Sequence, residues 1–291
     1  MIRKTLIPLL AAILLLPATM QGRDAADSSG RHQFIRLMRP IYFIGGIPVD
    51  GTAITANTAD LKFQLSIDVP LWTNMGGKEG FDLSVGYTQR SVWGIFAPSS
   101  PFKDNMYIPG LYLGIPVKDP YGNLWVGIEH RSNGRPYWGA RDGGDDDRSR
   151  SVNYIFAEYT HTFPFGLSLQ GNVRAGFGWY NETFGVDMFT KYMGWCTLTA
   201  GYESPGRIVD ALVSVSPIFA PLGANVTAEV GVRLGKKHNN PYLFLQYHYG
   251  YDEALCDCRY LSGESGPRMA PEGYLRVGIL IKSHCPRRLS F

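Results

Sequence analysis

Leu124-Trp125-Val126-Gly127-Ile128-Glu129-His130-Arg131-Ser132-Asn133-Gly134 is the stretch on which the reading of this chain turns. Side chains at i and i+2 share one face of a β-strand. Leu124, Val126 and Ile128 have the parity of His130 and Ser132, so an imidazole and a hydroxyl stand on the apolar face of the strand and not on the polar one. A base and a nucleophile placed this way would meet their substrate in lipid.

The ends of the chain support export. Met1-Ile2-Arg3-Lys4-Thr5 precedes an apolar stretch from Leu6 to Leu16, with small residues near Ala18 and Gly22. This is the pattern of a secretory signal peptide over residues 1–22, cut between 18 and 22. No cysteine lies near the cut to carry a lipid anchor. Residues 23–291 then form one domain, within the range for a single all-β unit. Charged residues make up 18% of the chain and aromatics 13%, with 34 glycines, a balance that suits many strands joined by turns. A net charge of +3 points to no nucleic-acid partner. After the leader no apolar run reaches 18 residues, so the chain is either exported and soluble or spans a membrane as a closed barrel.

Alternation of period two recurs beyond the opening stretch. Leu61, Phe63, Leu65, Ile67 and Val69 alternate with Lys62, Gln64, Ser66 and Asp68. Similar runs cover Phe81 to Thr88, Asn225 to Arg233 and Leu275 to Ile281. In a sandwich the apolar sets would face inward, whereas in a membrane barrel they face lipid. Connection lengths separate the two. Short turns near Thr73 to Gly77, Lys118 to Gly122, Phe163 to Gly166, Ser204 to Gly206 and Gly235 to Pro241 alternate with longer loops. The longer loops are expected near Gly51 to Asp60, Ala97 to Met106, Asn133 to Arg148, Asn181 to Thr190, Pro217 to Ala224 and Asp252 to Glu272. With a first strand near Ile41 to Gly46, the pattern predicts an all-β, twelve-stranded antiparallel transmembrane β-barrel. The terminal Phe291 matches the aromatic end common in outer-membrane barrels. Cys256 and Cys258 fall in the last long loop and Cys285 at the opposite edge, too far apart to bridge; with Cys196 they make no disulfide scaffold.

A serine hydroxyl needs a base to take its proton, and the base needs a third group to fix its tautomer. His130 and Ser132 supply the first two. Asn153, which shares its parity with Ile155, Ala157 and Tyr159, lies beyond a loop on the next antiparallel strand. Pairing would bring its carboxamide oxygen beside His130. The alternative reading is a polar strand end followed by an Asn-Gly turn. His32, His161, His238, His248 and His284 lack a comparable arrangement and read as loop, interface or lumen residues.

Several segments together resemble the bacterial outer membrane phospholipase A family. They are Lys62 to Ser66 with Pro70-Leu71-Trp72, Tyr87-Thr88-Gln89 with Ser99 to Phe102, His130 to Arg135, Ser149 to Asn153, and Thr190 to Gly194. The resemblance implies a multi-pass protein of the bacterial outer membrane that hydrolyses sn-1 and sn-2 acyl esters of phospholipids and lysophospholipids, requires calcium and is active as a homodimer. It makes Ser132 the nucleophile, His130 the general base and Asn153 the orienting residue, with the Gly134 amide in the oxyanion hole. It assigns calcium to the Arg135 carbonyl and Ser149 of one subunit with Ser99 of the other, and places Gln89 in the dimer interface. By physics alone, a polar strand residue such as Gln89 is more often lumenal.

Two departures from the family pattern stand out. Roughly nine residues are inserted between Arg135 and Ser149, including Asp142 and Asp145-Asp146-Asp147, and read as a solvated loop. Arg131 stands where the family usually has Gln. Two other functions compete: a lipid A deacylase-like esterase and a non-catalytic porin. The former is a smaller barrel with an acidic third residue, which the chain length and Asn153 oppose.

Overall fold

A computed structural model describes residues 36–77, 80–118, 121–134, 151–177, 192–219, 222–237, 240–251 and 271–282. Twelve strands alternate in direction: β1 (Ile41–Pro48), β2 (Asp60–Met75), β3 (Phe81–Trp93), β4 (Phe102–Ile115), β5 (Gly122–Ser132) and β6 (Ser151–Thr162) form the first half. The second half consists of β7 (Leu167–Phe177), β8 (Cys196–Glu203), β9 (Val209–Phe219), β10 (Leu222–Arg233), β11 (Tyr242–Gly250) and β12 (Glu272–Ile281). Each pairs with its neighbours in sequence, and β1 pairs with β12, so the sheet closes and leaves no edge. Closure is what lipid requires, because every strand then finds backbone partners on both sides.

Burial runs opposite to that of a soluble sandwich. In β11, Tyr242, Phe244, Gln246 and His248 are buried, while Leu243, Leu245, Tyr247 and Tyr249 are exposed. Around the wall, Val277 is 54% exposed whereas Gln64 and Arg276 are each 1% exposed. The outer wall is mostly apolar and the buried polar and charged side chains lie on the inner one, which is the arrangement of a barrel solvated by hydrocarbon. The alternation read from Leu61 to Val69 therefore marks a lipid-facing wall.

The lumen is packed. One apolar cluster gathers Met38, Met106, Ile108, Tyr112 and Trp125 with residues of β6, and a second gathers Tyr42, Ile44, Tyr242, Phe244 and Leu280. Ion pairs join walls that are distant in sequence. Arg276 donates to both oxygens of Asp60 at 2.9 Å, and Arg36, in the segment before β1, pairs with Asp68. These charges persist inside the barrel because each is met by a partner of opposite sign.

Two expected boundaries move. β9 ends at Phe219 and β10 begins at Leu222, with Pro217 paired to Ala224, so the long loop expected from Pro217 to Ala224 is replaced by strand. Ile218, Phe219 and Leu222 carry no polar run to end the ladder, and pairing keeps their backbone groups satisfied to the tip. β4 likewise begins at Phe102 and not beyond Met106. The loop expected over Asn181 to Thr190 lies outside the described residues, as do residues 1–22, Cys256, Cys258, Cys285 and Phe291.

Candidate active site

The ladder between β5 and β6 sets His130 directly opposite Asn153, and Ser132 opposite Ser151. His130 Nδ1 lies 2.8 Å from Asn153 Oδ1. Because the carboxamide oxygen can only accept, this contact places the ring proton on Nδ1 and leaves Nε2 as the basic nitrogen. Ser132, two residues further along the same face, shares this outer wall with Leu124, Val126 and the exposed Ile128. The strand parity that put the hydroxyl and imidazole on the apolar face is thus realised.

The opposite face of the same strand holds a polar hub that the sequence reading did not single out. Glu129, buried at 1% exposure, accepts hydrogen bonds from Tyr112 Oη at 2.8 Å, from Tyr154 Oη and from Arg39 Nη2. Arg131 Nη2 lies 3.8 Å from the same carboxylate, and its guanidinium packs over the Tyr154 ring. Arg39 also donates to Thr88 at 3.1 Å. One carboxylate therefore ties together β4, β5, β6 and the segment before β1, immediately behind the His130 pair. A carboxylate at the lumenal parity of a strand that bears His130 was the available signal.

Gly134 follows the end of β5 with φ +65°, a region that favours glycine. A Cβ there would lie 2.6 Å from Cε2 of Tyr107, so the tyrosine ring closes over this backbone. Tyr107 is itself the β4 partner of Ser132. Ser99 sits in the 94–101 connection, at the same barrel end as Ser132, exposed and with φ +63°. Arg135 and Ser149 lie outside the described residues, as does the 136–148 insertion.

Gln89 faces outward, on the parity of exposed Val85 and Tyr87. Its lumenal reading is thereby corrected: Thr88, the next position, takes the inner wall instead. Tyr87 Oη donates to Gln89 Oε1 at 3.3 Å, Gln89 Nε2 donates to Ser91 Oγ at 3.2 Å, and Ser91 donates to Asn105 Oδ1 at 2.7 Å. The register runs Gln89 to Tyr107 to Ser132 across three strands. A polar band thus crosses an otherwise apolar wall and ends at the hydroxyl. Ser91, Asn105 and Tyr107 share the outward parity of their strands, and the same parity test that found His130 would have found them.

Residues 48–263, well over half of the chain, match the sequence model of the family described as Phospholipase A1. The chain belongs to the phospholipase A1 family. The phospholipase A1 of Proteus vulgaris is 31% identical over 213 residues, which is 69% of this chain and 66% of that protein. The enzyme of the same name from Escherichia coli K12 is 30% identical over 213 residues, 70% of this chain and 67% of its own. Among solved structures, outer membrane phospholipase A from Escherichia coli superposes with a TM-score of 0.67 at 19% identity, covering 86% of this chain and 94% of that one. A calcium-bound dimer of the Salmonella typhi protein gives 0.68 at 21% identity, with 88% and 94% covered. These likenesses in structure are of fold. Family membership makes the chain a hydrolase of phospholipase A1 type, and its closed barrel with an apolar exterior makes it a multi-pass protein of the outer membrane.

Proposed function

We propose that this protein is a calcium-dependent phospholipase that cleaves sn-1 and sn-2 acyl esters of phospholipids and lysophospholipids at the lipid-facing wall of its barrel. The observation that carries the reading is the 2.8 Å contact between His130 and Asn153 on the face that also bears Ser132. Ser132 Oγ attacks the ester carbonyl while His130 Nε2 takes its proton, and Asn153 holds the ring in the required tautomer. The Gly134 amide donates to the developing oxyanion. His130 then passes the proton to the departing alcohol oxygen, leaving the acyl group on Ser132. Water, deprotonated by the same nitrogen, releases the fatty acid.

Asn153 is neutral and stabilises the imidazolium less than a carboxylate would, so electrostatic help at the oxyanion matters more. Ser99, Arg135 and Ser149 would hold calcium through hydroxyl and carbonyl oxygens, which suit this hard cation. Bound there, it would supply positive charge beside the oxyanion. The exposure of Ser99 at the same barrel end as Ser132 fits a ligand donated to another subunit. The outward polar band at Gln89 fits a homodimer in which the two bands meet inside the membrane, each satisfying groups that hydrocarbon cannot. The test is fatty-acid release from mixed phospholipid micelles by the wild type and by Ser132→Ala, with calcium and with excess chelator. Calcium-dependent release that vanishes in the variant is expected; equal release by both proteins would remove the assigned nucleophile.

A further inference from the structure

The segment before β1 leaves the ladder and turns two side chains into the barrel. Tyr42 of β1 stands opposite Gln64 of β2, and further back Arg36 makes an isolated bridge to Asp68. Six steps of chain from Arg36 to Tyr42 therefore span only four steps of β2, from Asp68 to Gln64. The surplus forms a bulge, a device that re-aims side chains. Met38 and Arg39 are consecutive and would point to opposite faces of a regular strand, yet they are 7% and 3% exposed.

The bulge is fastened along the inner face of β2. Arg36 and Asp68 exchange backbone hydrogen bonds of 2.8 Å, and their side chains pair. The Arg39 amide donates to Ser66 Oγ at 3.2 Å. Pro40 has no amide hydrogen to strand, and its carbonyl accepts from Gln64 Nε2 at 2.8 Å. Met38 fits against Gly86 of β3, where a Cβ would lie 2.4 Å from its Cε.

So aimed, Arg39 spans two walls. Its Nη1 donates to Thr88 of β3 at 3.1 Å, and Thr88 is bonded in turn to Ser66 at 2.8 Å. Its Nη2 donates to Glu129 of β5, beyond β4. Glu129 precedes His130 in the chain, and Tyr154, which also donates to Glu129, follows Asn153. A planar fork with several donors can hold two acceptors at a fixed separation, which a lysine cannot do.

We propose that Arg39 is a positioning residue for ester hydrolysis, aimed by the bulge at the carboxylate behind His130 and Asn153. The role rests on the hydrolytic reading of that pair and Ser132. Displacing Glu129 moves the backbone it shares with His130, and a shift of about 1 Å at a reacting group can lower a rate by about 10²-fold. Arg39 faces the lumen and lipid meets the outer wall, so the effect falls on kcat and not on KM. Arg131 Nη2, 3.8 Å from Glu129, still faces that carboxylate when Arg39 is shortened, which favours a folded variant.

The test compares Arg39→Met and Arg39→Lys with the wild type as full chains in detergent with calcium, acting on mixed phospholipid micelles. Arg276→Gln, which opens the buried pair with Asp60, is the control for lost stability. Arg39→Met should lower kcat by about tenfold or more with KM little changed, and Arg39→Lys should recover part of the loss. Arg276→Gln should leave kcat near that of the wild type while the barrel keeps its heat-modifiable migration. In protein with isotope-labelled histidine, the Nδ1 proton of His130, identified by its loss in His130→Ala, should exchange with water faster in Arg39→Met alone. Should that variant not fold, Thr88→Val keeps the charge, removes only the Nη1 acceptor, and should move kcat and exchange the same way. Unchanged kcat or exchange in the folded variant, or an equal fall in Arg276→Gln, would overturn the proposal. Full activity in Ser132→Ala would instead overturn the hydrolytic reading, and proton exchange would still report whether Arg39 holds the His130 contact.

Discussion

Glu129 and Tyr154 oppose each other across β5 and β6 on the lumenal wall, one residue along from the His130 and Asn153 pair that opposes on the lipid wall. The hydrogen bond from Tyr154 to Glu129 therefore fixes, from inside, the two strands whose outer faces must hold a 2.8 Å contact. Breaking a buried charged network by removing one partner costs about 3–5 kcal/mol, because the remaining charge is left unmet. Glu129→Gln keeps the size of the side chain and strands the Arg39 and Arg131 charges. It is expected to lower the denaturant midpoint of the detergent-solubilised barrel, and to reduce kcat more than KM at temperatures where the barrel remains folded. An unchanged midpoint would show that the hub contributes nothing to the wall.

Ser132→Ala and His130→Ala are expected to lower fatty-acid release by at least ~10³-fold, since removal of either member of such a pair disables the unit. Asn153→Ala should fall less and keep measurable activity, because Nε2 remains a base even when the ring is less well oriented. All three side chains face outward and fill no core, so the variants should retain heat-modifiable migration on gels. Loss of that migration would make the kinetic comparison uninformative about roles and would contradict the outward placement.

Gly134→Ala tests the oxyanion assignment. The added Cβ would meet the Tyr107 ring at 2.6 Å, on a backbone already at φ +65°. The amide should be displaced, and loss of one oxyanion donor typically lowers kcat by about 10²–10³-fold. Truncating Tyr107 to Leu in the same chain would relieve the contact but not the backbone strain, so only partial recovery is expected. Steady-state kinetics on mixed micelles decide it; an unaltered kcat would take Gly134 out of the oxyanion hole.

The subunit arrangement is tested by mixing. Ser132→Ala and Ser99→Ala proteins, each inactive or weakly active alone, should recover activity together, since one hybrid site would regain both the nucleophile and the donated ligand. Dilution in detergent should lower specific activity, and calcium should favour the cross-linked dimer. Gln89→Leu should shift the dilution curve toward higher protein concentration. Constant specific activity over a wide dilution range would exclude the dimer as the active form.

Asp50 joins the connection after β1 to the start of β12. The Thr52 side chain, then the amides of Gly273 and Thr52, hold its carboxyl below the ordinary value of 3.8. Its oxygens lie 2.9 Å from each of those amide nitrogens. A depressed folded value contributes stability that is present above the unfolded value and is lost as pH falls through the folded one. Protection of the Gly273 amide from exchange should therefore be steady from neutral pH down to about 5 and decline below 3.8, relative to an Asp50→Asn chain that lacks the pH dependence. The effect is small, because the group is exposed to screening solvent.

Strand number, the lipid-facing wall and the placement of His130 and Ser132 were legible in the chain itself. A strand has a period of two, and hydrocarbon sorts side chains by polarity, so parity along Leu61 to Val69 or Leu124 to Ser132 carries the fold without reference to any distant residue. The pairing of His130 with Asn153 was legible too, because an antiparallel neighbour is the next strand. Tertiary structure alone decided what depends on closure. The meeting of Arg39 with Glu129 and of Asp60 with Arg276 joins walls 90 and 216 residues apart, and nothing in a local pattern selects which inward charge faces which. A cavity lined by Lys62, Arg90, Arg131 and Arg174 likewise exists only once β1 and β12 have joined, since a lumen belongs to the ring of strands and to none of them singly.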